Sequence, residues 1–140
     1  MLKEVKNAFG RTFYIIAYRK ELDIVDAVWH GTASKQDLQK ALIAGLEVHE
    51  TVRCHFRLND NTDFSGPWAD AMPWLEEVWL PRAYDTGVRY LAHVSRSNSF
   101  GEAAGEAMYV GKIGKAIEVR LFTDREEAIS WLKSKQRSHA

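Results

Sequence analysis

The chain has 140 residues, 46% of them hydrophobic and 27% charged, and its 19 Lys and Arg balance its 19 Asp and Glu. That length and mixture suit one domain, residues 1–140, with its own core, and they exclude wholesale disorder. A net charge of zero excludes the broad positive field with which proteins gather nucleic acid or anionic lipid.

The first thirty residues read as strands. A short one is expected around Leu2 to Ala8. Thr12 to Arg19 is aromatic and β-branched, with Phe13, Ile15 and Ala17 on one face and Tyr14, Ile16 and Tyr18 on the other. After a turn at Glu21 to Asp23, Ile24 to His30 returns and Gly31 ends it. Links this short fit a meander, not parallel crossovers.

The period then changes. Ser34-Lys35-Gln36-Asp37 has the form of a capping box, and Leu38, Ala41, Leu42, Gly45, Val48, His49 and Val52 share one helical face. Cys54 to Asn59 alternates again, with His55, Arg57 and Asn59 forming a polar face. Asp60 to Gly66 reads as a turn-rich loop, and Pro67 as the first residue of a helix running to about Tyr84. That helix carries Trp68, Ala71, Met72, Leu75, Val78 and Trp79 on a stripe and is kinked or divided by Pro73. Gly87 stops it. A strand over Arg89 to Ser95 follows. Ser99-Phe100-Gly101-Glu102 opens a helix that ends near Gly111 or Gly114. Ile117 to Phe122 alternates as a strand, Thr123-Asp124-Arg125-Glu126 caps a last helix, and the polar tail from Lys133 is expected to fray. Strands and helices in alternation imply parallel crossovers. The alternation within Cys54–Asn59 and Ile117–Phe122 implies a sheet with one open face.

Several residues join this order in carrying a resemblance. They are Trp29-His30-Gly31, Asp60-Asn61, Gly66-Pro67-Trp68, Trp74, Trp79-Leu80-Pro81, Ala92-His93-Val94 and Glu127-Ala128-Ile129-Ser130-Trp131-Leu132. Over roughly residues 12–134 the chain resembles the STAS (SpoIIAA-like) family of bacterial anti-sigma-factor antagonists. It is similar to small stand-alone bacterial STAS/SEC14-like proteins of unassigned activity. The resemblance implies an α/β fold: a mixed sheet with an amino-terminal strand meander, then alternating α-β units, with helices mainly on one face. In the antagonists an Asp-Ser-Ser-Gly turn carries a phosphorylated second serine that switches partner binding. Here Asp63-Phe64-Ser65-Gly66 matches it except at Phe64. A phosphate on Ser65 at a helix start would meet free N–H groups and the positive end of the helix dipole. Ser65 or Gly66 as an ordinary N-cap is the simpler reading.

Other chemistry is thinner. No stretch approaches the ~20 apolar residues of a membrane span, and the amino-terminal six residues lack the apolar run of a secretion signal. The single Cys54 offers no disulfide and no zinc pair, so a cytoplasmic protein is expected. The five histidines, His30, His49, His55, His93 and His139, show no metal-ligand spacing. His49 reads as a core histidine, whereas His55 and His93 lie on polar strand faces and approach each other if those strands pair. Cys54 reads as inert packing, and Gly111-Lys112-Ile113-Gly114-Lys115 as a helix end, not a phosphate loop. No cofactor and no metal site is expected.

The leading expectation is a non-enzymatic regulatory or protein-interaction module acting as a homodimer or on another protein. Its candidate turn is Asp60, Asn61, Asp63, Ser65 and Gly66, and its candidate interface is Trp74, Tyr14 and Tyr18. A small-molecule or lipid carrier of SEC14-like type is the alternative. Five Trp, six Phe and five Tyr argue that its interior is filled. An enzyme, with Asp60, Asp63 and His93 converging at the carboxyl ends of the strands, comes third.

Overall fold

A computed structural model describes residues 2–66 and 68–139. Six strands lie side by side in chain order: β1 (Leu2–Lys6), β2 (Thr12–Arg19), β3 (Ile24–Gly31), β4 (Phe56–Phe64), β5 (Tyr90–Val94) and β6 (Glu118–Phe122). The first three are antiparallel, as their short links demand, and β3 through β6 are parallel. Between the parallel strands run α1 (Lys35–Val52), a helical segment over residues 69–86, and α4 (Phe100–Val110) with α5 (Lys112–Ala116). Successive crossovers that step the same way along a sheet put their helices on one face. The last helix, α6 (Arg125–His139), packs on the other face, chiefly on β5, β4 and β6.

Strand register shows which side chains meet which layer, because alternate residues face opposite ways. Val25, Arg57, Leu91 and Val119 form one row, and Ala27, Asn59, His93 and Leu121 the next; both rows face the layer of α1, the 69–86 segment, α4 and α5. Val28, Asp60, Val94 and Phe122 face α6, and Phe122 packs with Trp131. Both faces of the parallel section are therefore covered. The expected open face does not exist there: the polar side of β4 looks inward. A bulge between Val5 and Lys6 leaves Phe13 as an extra residue on β2. Phe13 thereby joins Tyr14 on the core side instead of facing away from it, and both pack on Trp29.

The helices follow their sequence signals with two departures. Ser34 accepts a hydrogen bond from the Asp37 N–H at 3.1 Å, and α1 buries the expected stripe from Leu38 to His49. Pro67, the expected start of the tryptophan helix, lies outside the described residues. The segment after it comprises a 3-10 turn at Ala69–Ala71, α2 (Met72–Trp74), a π turn at Leu75–Trp79 and α3 (Leu80–Thr86). Pro81, with no N–H to give, comes two residues after the π turn. The extra residue in that turn rotates the stripe, so Val78 is exposed while Leu80 and Ala83 are buried. At the carboxyl terminus the helix does not fray at Lys133 but continues to His139, tied down by Gln136, which donates to the Leu22 and Asp23 carbonyls.

Two glycines let helices approach the sheet. A Cβ on Gly45 would lie 2.6 Å from the Tyr14 hydroxyl oxygen and 3.1 Å from Ile16, and one on Gly105 would lie 2.5 Å from the His93 ring. Tyr14 cannot withdraw without breaking its bond from Arg57. Gly45→Ala gains about 1 kcal/mol of helix propensity but forces overpacking worth about 1–3 kcal/mol. Urea unfolding of Gly45→Ala should therefore show a net loss of stability. A gain would show that α1 does not lie this close to β2.

Candidate functional site

β4 outruns β5. Their pairing ends at Asp60 with Val94, yet β4 continues beside β3, where Asp63 pairs with His30 and Phe64 with Gly31. Asp60 to Asp63 are thus strand and not the turn expected from their composition, because a ladder to β3 overrides local turn preference. Past Val94 the free edge of β4 is met by a side chain: Arg96 donates from Nε to the Thr62 carbonyl at 2.8 Å and from its guanidinium to Asp63 at 3.1 Å. This mismatch in strand length opens a cleft of about 680 Å³ at the carboxyl ends of β4 and β5, lined by Asp63, Phe64, Ser65, Arg96, Ser99 and Phe100 among others. α/β folds place ligands at such an edge.

The candidate turn residues divide between three environments. Asp63 and Ser65 line the cleft, Ser65 exposed and donating its backbone N–H to the Gly31 carbonyl at 2.8 Å. Asp60 turns toward α6, where Arg125 bonds it at 3.1 Å and also pairs with buried Asp26. Asn61 turns toward the helix layer and accepts the Trp68 indole N–H at 2.9 Å. Gly66 is buried, with Phe64 3.0 Å from where its Cβ would be. Neither Ser65 nor Gly66 caps a helix: the residue before the first helical turn is Trp68, and no side chain caps it. The opening of α4 is capped instead, by Ser99, which accepts from Glu102 N at 3.1 Å.

The candidate interface divides likewise. Tyr14 is fully buried, its hydroxyl accepting from Arg57, so no apolar patch forms around it. Tyr18 is half-buried and donates to Asp23 at 2.9 Å; Trp74 is half-buried against the core. The enzyme reading loses its geometry, since His93 and Asp60 lie on opposite faces of the sheet. Burial pushes the Cys54 thiol up to about 12, which leaves it unreactive.

Sequence reasoning missed a buried polar row. Arg57 donates to the His49 Nε2 at 3.1 Å and the Tyr14 hydroxyl at 3.2 Å. Asn59 accepts the Trp29 indole N–H at 2.8 Å and gives its amide to His93 Nδ1 at 3.0 Å. His93 then carries its proton on Nε2, which donates to the Gly101 carbonyl at 2.7 Å. His55 is elsewhere, its Nδ1 2.6 Å from the Gly87 carbonyl, so the two histidines do not meet. The findable signal was the order Arg57, Asn59, Asn61 on the helix-facing side of a strand flanked by two others, which cannot be solvated.

A family model matches residues 24–133, and its description is SpoIIAA-like. The chain belongs to the SpoIIAA-like family. The matched span runs from β3 into α6, and so includes the whole parallel section and the cleft. No curated protein matches the chain. Among the described residues of this SpoIIAA-like chain, no helix is long and apolar enough to cross a membrane, and no group of three or more His, Cys, Asp or Glu is placed to hold a metal ion.

The buried histidines make stability depend on acid. Burial lowers His93 from 6.5 to about 4, against the opposing pull of the Gly101 carbonyl and the Asp60 charge. Burial, and then the Arg57 charge, lowers His49 in the same direction. The unfolded chain takes up a proton on His93 near pH 6.5 and the folded chain only near 4. The stability contribution is therefore complete above the unfolded value and lost as pH falls through that window. Urea titrations should show a loss of about 2–3 kcal/mol from His93 between pH 7 and pH 4.5. In His93→Gln the acid loss should shrink by that amount, and an unchanged pH slope would refute the assignment.

Proposed function

We propose that the protein is a non-enzymatic regulatory or interaction module, acting through contacts at the cleft beyond Val94 and along α4, as a homodimer or on another protein. The observation that carries this reading is the apolar surface of α4 beside the cleft. Phe100 is 58% and Val110 70% exposed, and with Ala103 and Ala107 they fall on one stripe at helical spacing. Large apolar side chains grouped along an outer helix are typical of a surface that meets a partner. Membership of the SpoIIAA-like family supports the same reading.

Ser65 is a suitable control point for such a surface. It is exposed at the lip of a cleft in which Arg96 is the one cation among the lining residues and is held by Asp63. A phosphate there adds nearly two negative charges, draws Arg96 from Asp63 and repels the Asp63 carboxylate. The switch is thus an exchange of arginine partners at the end of β4, and it needs no helix dipole.

Cross-linking mass spectrometry in host lysate, and sedimentation for self-association, test the reading. Contacts of the wild-type protein should concentrate on α4 and the cleft. Phe100→Asp should reduce them at least tenfold, and Ser65→Glu should change them where Ser65→Ala does not. Cross-links scattered elsewhere and indifferent to Phe100→Asp would overturn it.

A further inference from the structure

Arg57 is only 1% exposed, and among the described residues every partner it has is neutral. These are the His49 imidazole, the Tyr14 hydroxyl and the face of Trp79, whose ring centre lies 5.5 Å from the guanidinium carbon. Burial keeps Tyr14 protonated and His49 uncharged, so neither supplies a counter-charge. Among the described residues, the buried carboxylates Asp26 and Asp60 lie on the opposite face of the sheet and are engaged by Arg19 and Arg125. A buried cation without an anion is costly and is kept where something anionic meets it.

A cavity of about 20 Å³ lies against Arg57, with Asn59, Trp68, Met72, Trp79 and Ala104 in its wall. That is room for one water or one small polar group. Trp79 keeps its buried Nε1 without an acceptor, and the Asn59 carbonyl oxygen is already taken by Trp29. Arg57 and Trp79 thus offer N–H groups, the complement of an anion.

The cavity adjoins a groove at the surface. Trp68, Met72 and Ala104 also form the floor of an apolar groove of about 180 Å³ between the start of α2 and α4, widened by Ala103 and Ala107 and reaching Phe100. Met72 is a flexible thioether, and its segment is built from a 3-10 turn, one short helical piece with Pro73, and a π turn. Met72 lines both groove and cavity, so it is the side chain whose movement would join them.

We propose that this interior is a binding site for a small carboxylic acid with an apolar body. The carboxylate displaces the cavity's contents and sits on the Arg57 guanidinium beside the Trp79 Nε1, and the body lies along the alanine-lined groove. The groove's size suits a short chain or a single ring and is too small for a phospholipid. The site goes beyond the interaction reading: the groove shares Phe100, Ala103 and Ala107 with the α4 surface, but Arg57 and the interior are its own.

Octanoate is a suitable probe, titrated into the full chain and followed by tryptophan fluorescence and calorimetry. Octan-1-ol supplies the same body without charge, and acetate the charge without a body. Octanoate should bind saturably, one per chain, at least tenfold tighter than either. Arg57→Gln should erase its advantage over octan-1-ol. Should that variant not fold, Ala107→Phe blocks the groove from its rim, and octanoate binding should fall at least tenfold at an unchanged melting temperature. Absence of saturable octanoate binding, equal binding of octan-1-ol or acetate, or octanoate binding that survives Ala107→Phe would overturn the proposal. Arg57→Gln leaves Ser65, Arg96 and the surface of α4 untouched, so loss of octanoate binding in that variant with unchanged cross-links separates this site from the interaction reading.

Discussion

The structure turns on one constraint: β4 lies between two parallel strands with both faces covered, and the face it turns to the helices is polar. Arg57, Asn59 and Asn61 each require a partner inside the protein, and each finds it on a different element. Arg57 holds His49 of α1 and Tyr14 of β2. Asn59 holds Trp29 of β3 and His93 of β5, and through His93 the first turn of α4. Asn61 holds Trp68, where the tryptophan segment begins. Apolar contacts tolerate sliding, whereas a row of buried hydrogen bonds fails at every member if the register shifts by two. The polar row thus fixes how the helix layer sits on the sheet, and the glycines at 45 and 105 permit the closeness it needs.

The same strand determines where the surface is interesting. Because β4 runs on past the end of β5, its last residues have a ladder on one side only, and Arg96 satisfies the other. The cleft is the physical consequence of that length mismatch. On the far face the guanidinium of Arg125 joins Asp26 of β3 to Asp60 of β4 and sets the first turn of α6 over the junction. β4 and the residue after it therefore carry three kinds of chemistry between Arg57 and Ser65: an interior cation, an ion-paired carboxylate under α6, and an open edge with Asp63 and Ser65.

Much of the fold was legible in the sequence because its signals were local. The bounds of β2, the capping serines 34 and 99 and the stripe of α1 follow from periodicity and capping chemistry alone. The failures have nonlocal causes. Asp60-Asn61-Thr62-Asp63 has turn composition, but pairing with β3 outweighs a propensity of that size. The polar alternation of β4 looks like a solvated face until the helix layer is placed over it. The π turn at Leu75–Trp79 changes the phase of the tryptophan stripe without any change of composition. At the site, Asp63 and Ser65 line the same cleft. Asp60 and its neighbour Asn61 face opposite ways, Asp60 toward Arg125 and Asn61 toward Trp68, as neighbours in a strand do.

The inward direction of the polar row is most directly tested by hydrogen exchange of the tryptophan indoles in solution NMR. With Asn59 and Asn61 holding them inside, the indole protons of Trp29 and Trp68 should exchange only as slowly as the most protected amides of β4, through global unfolding. Indole protons of Trp29 and Trp68 that exchange at the rate of a free side chain would contradict the account, for they would put the polar face of β4 in water.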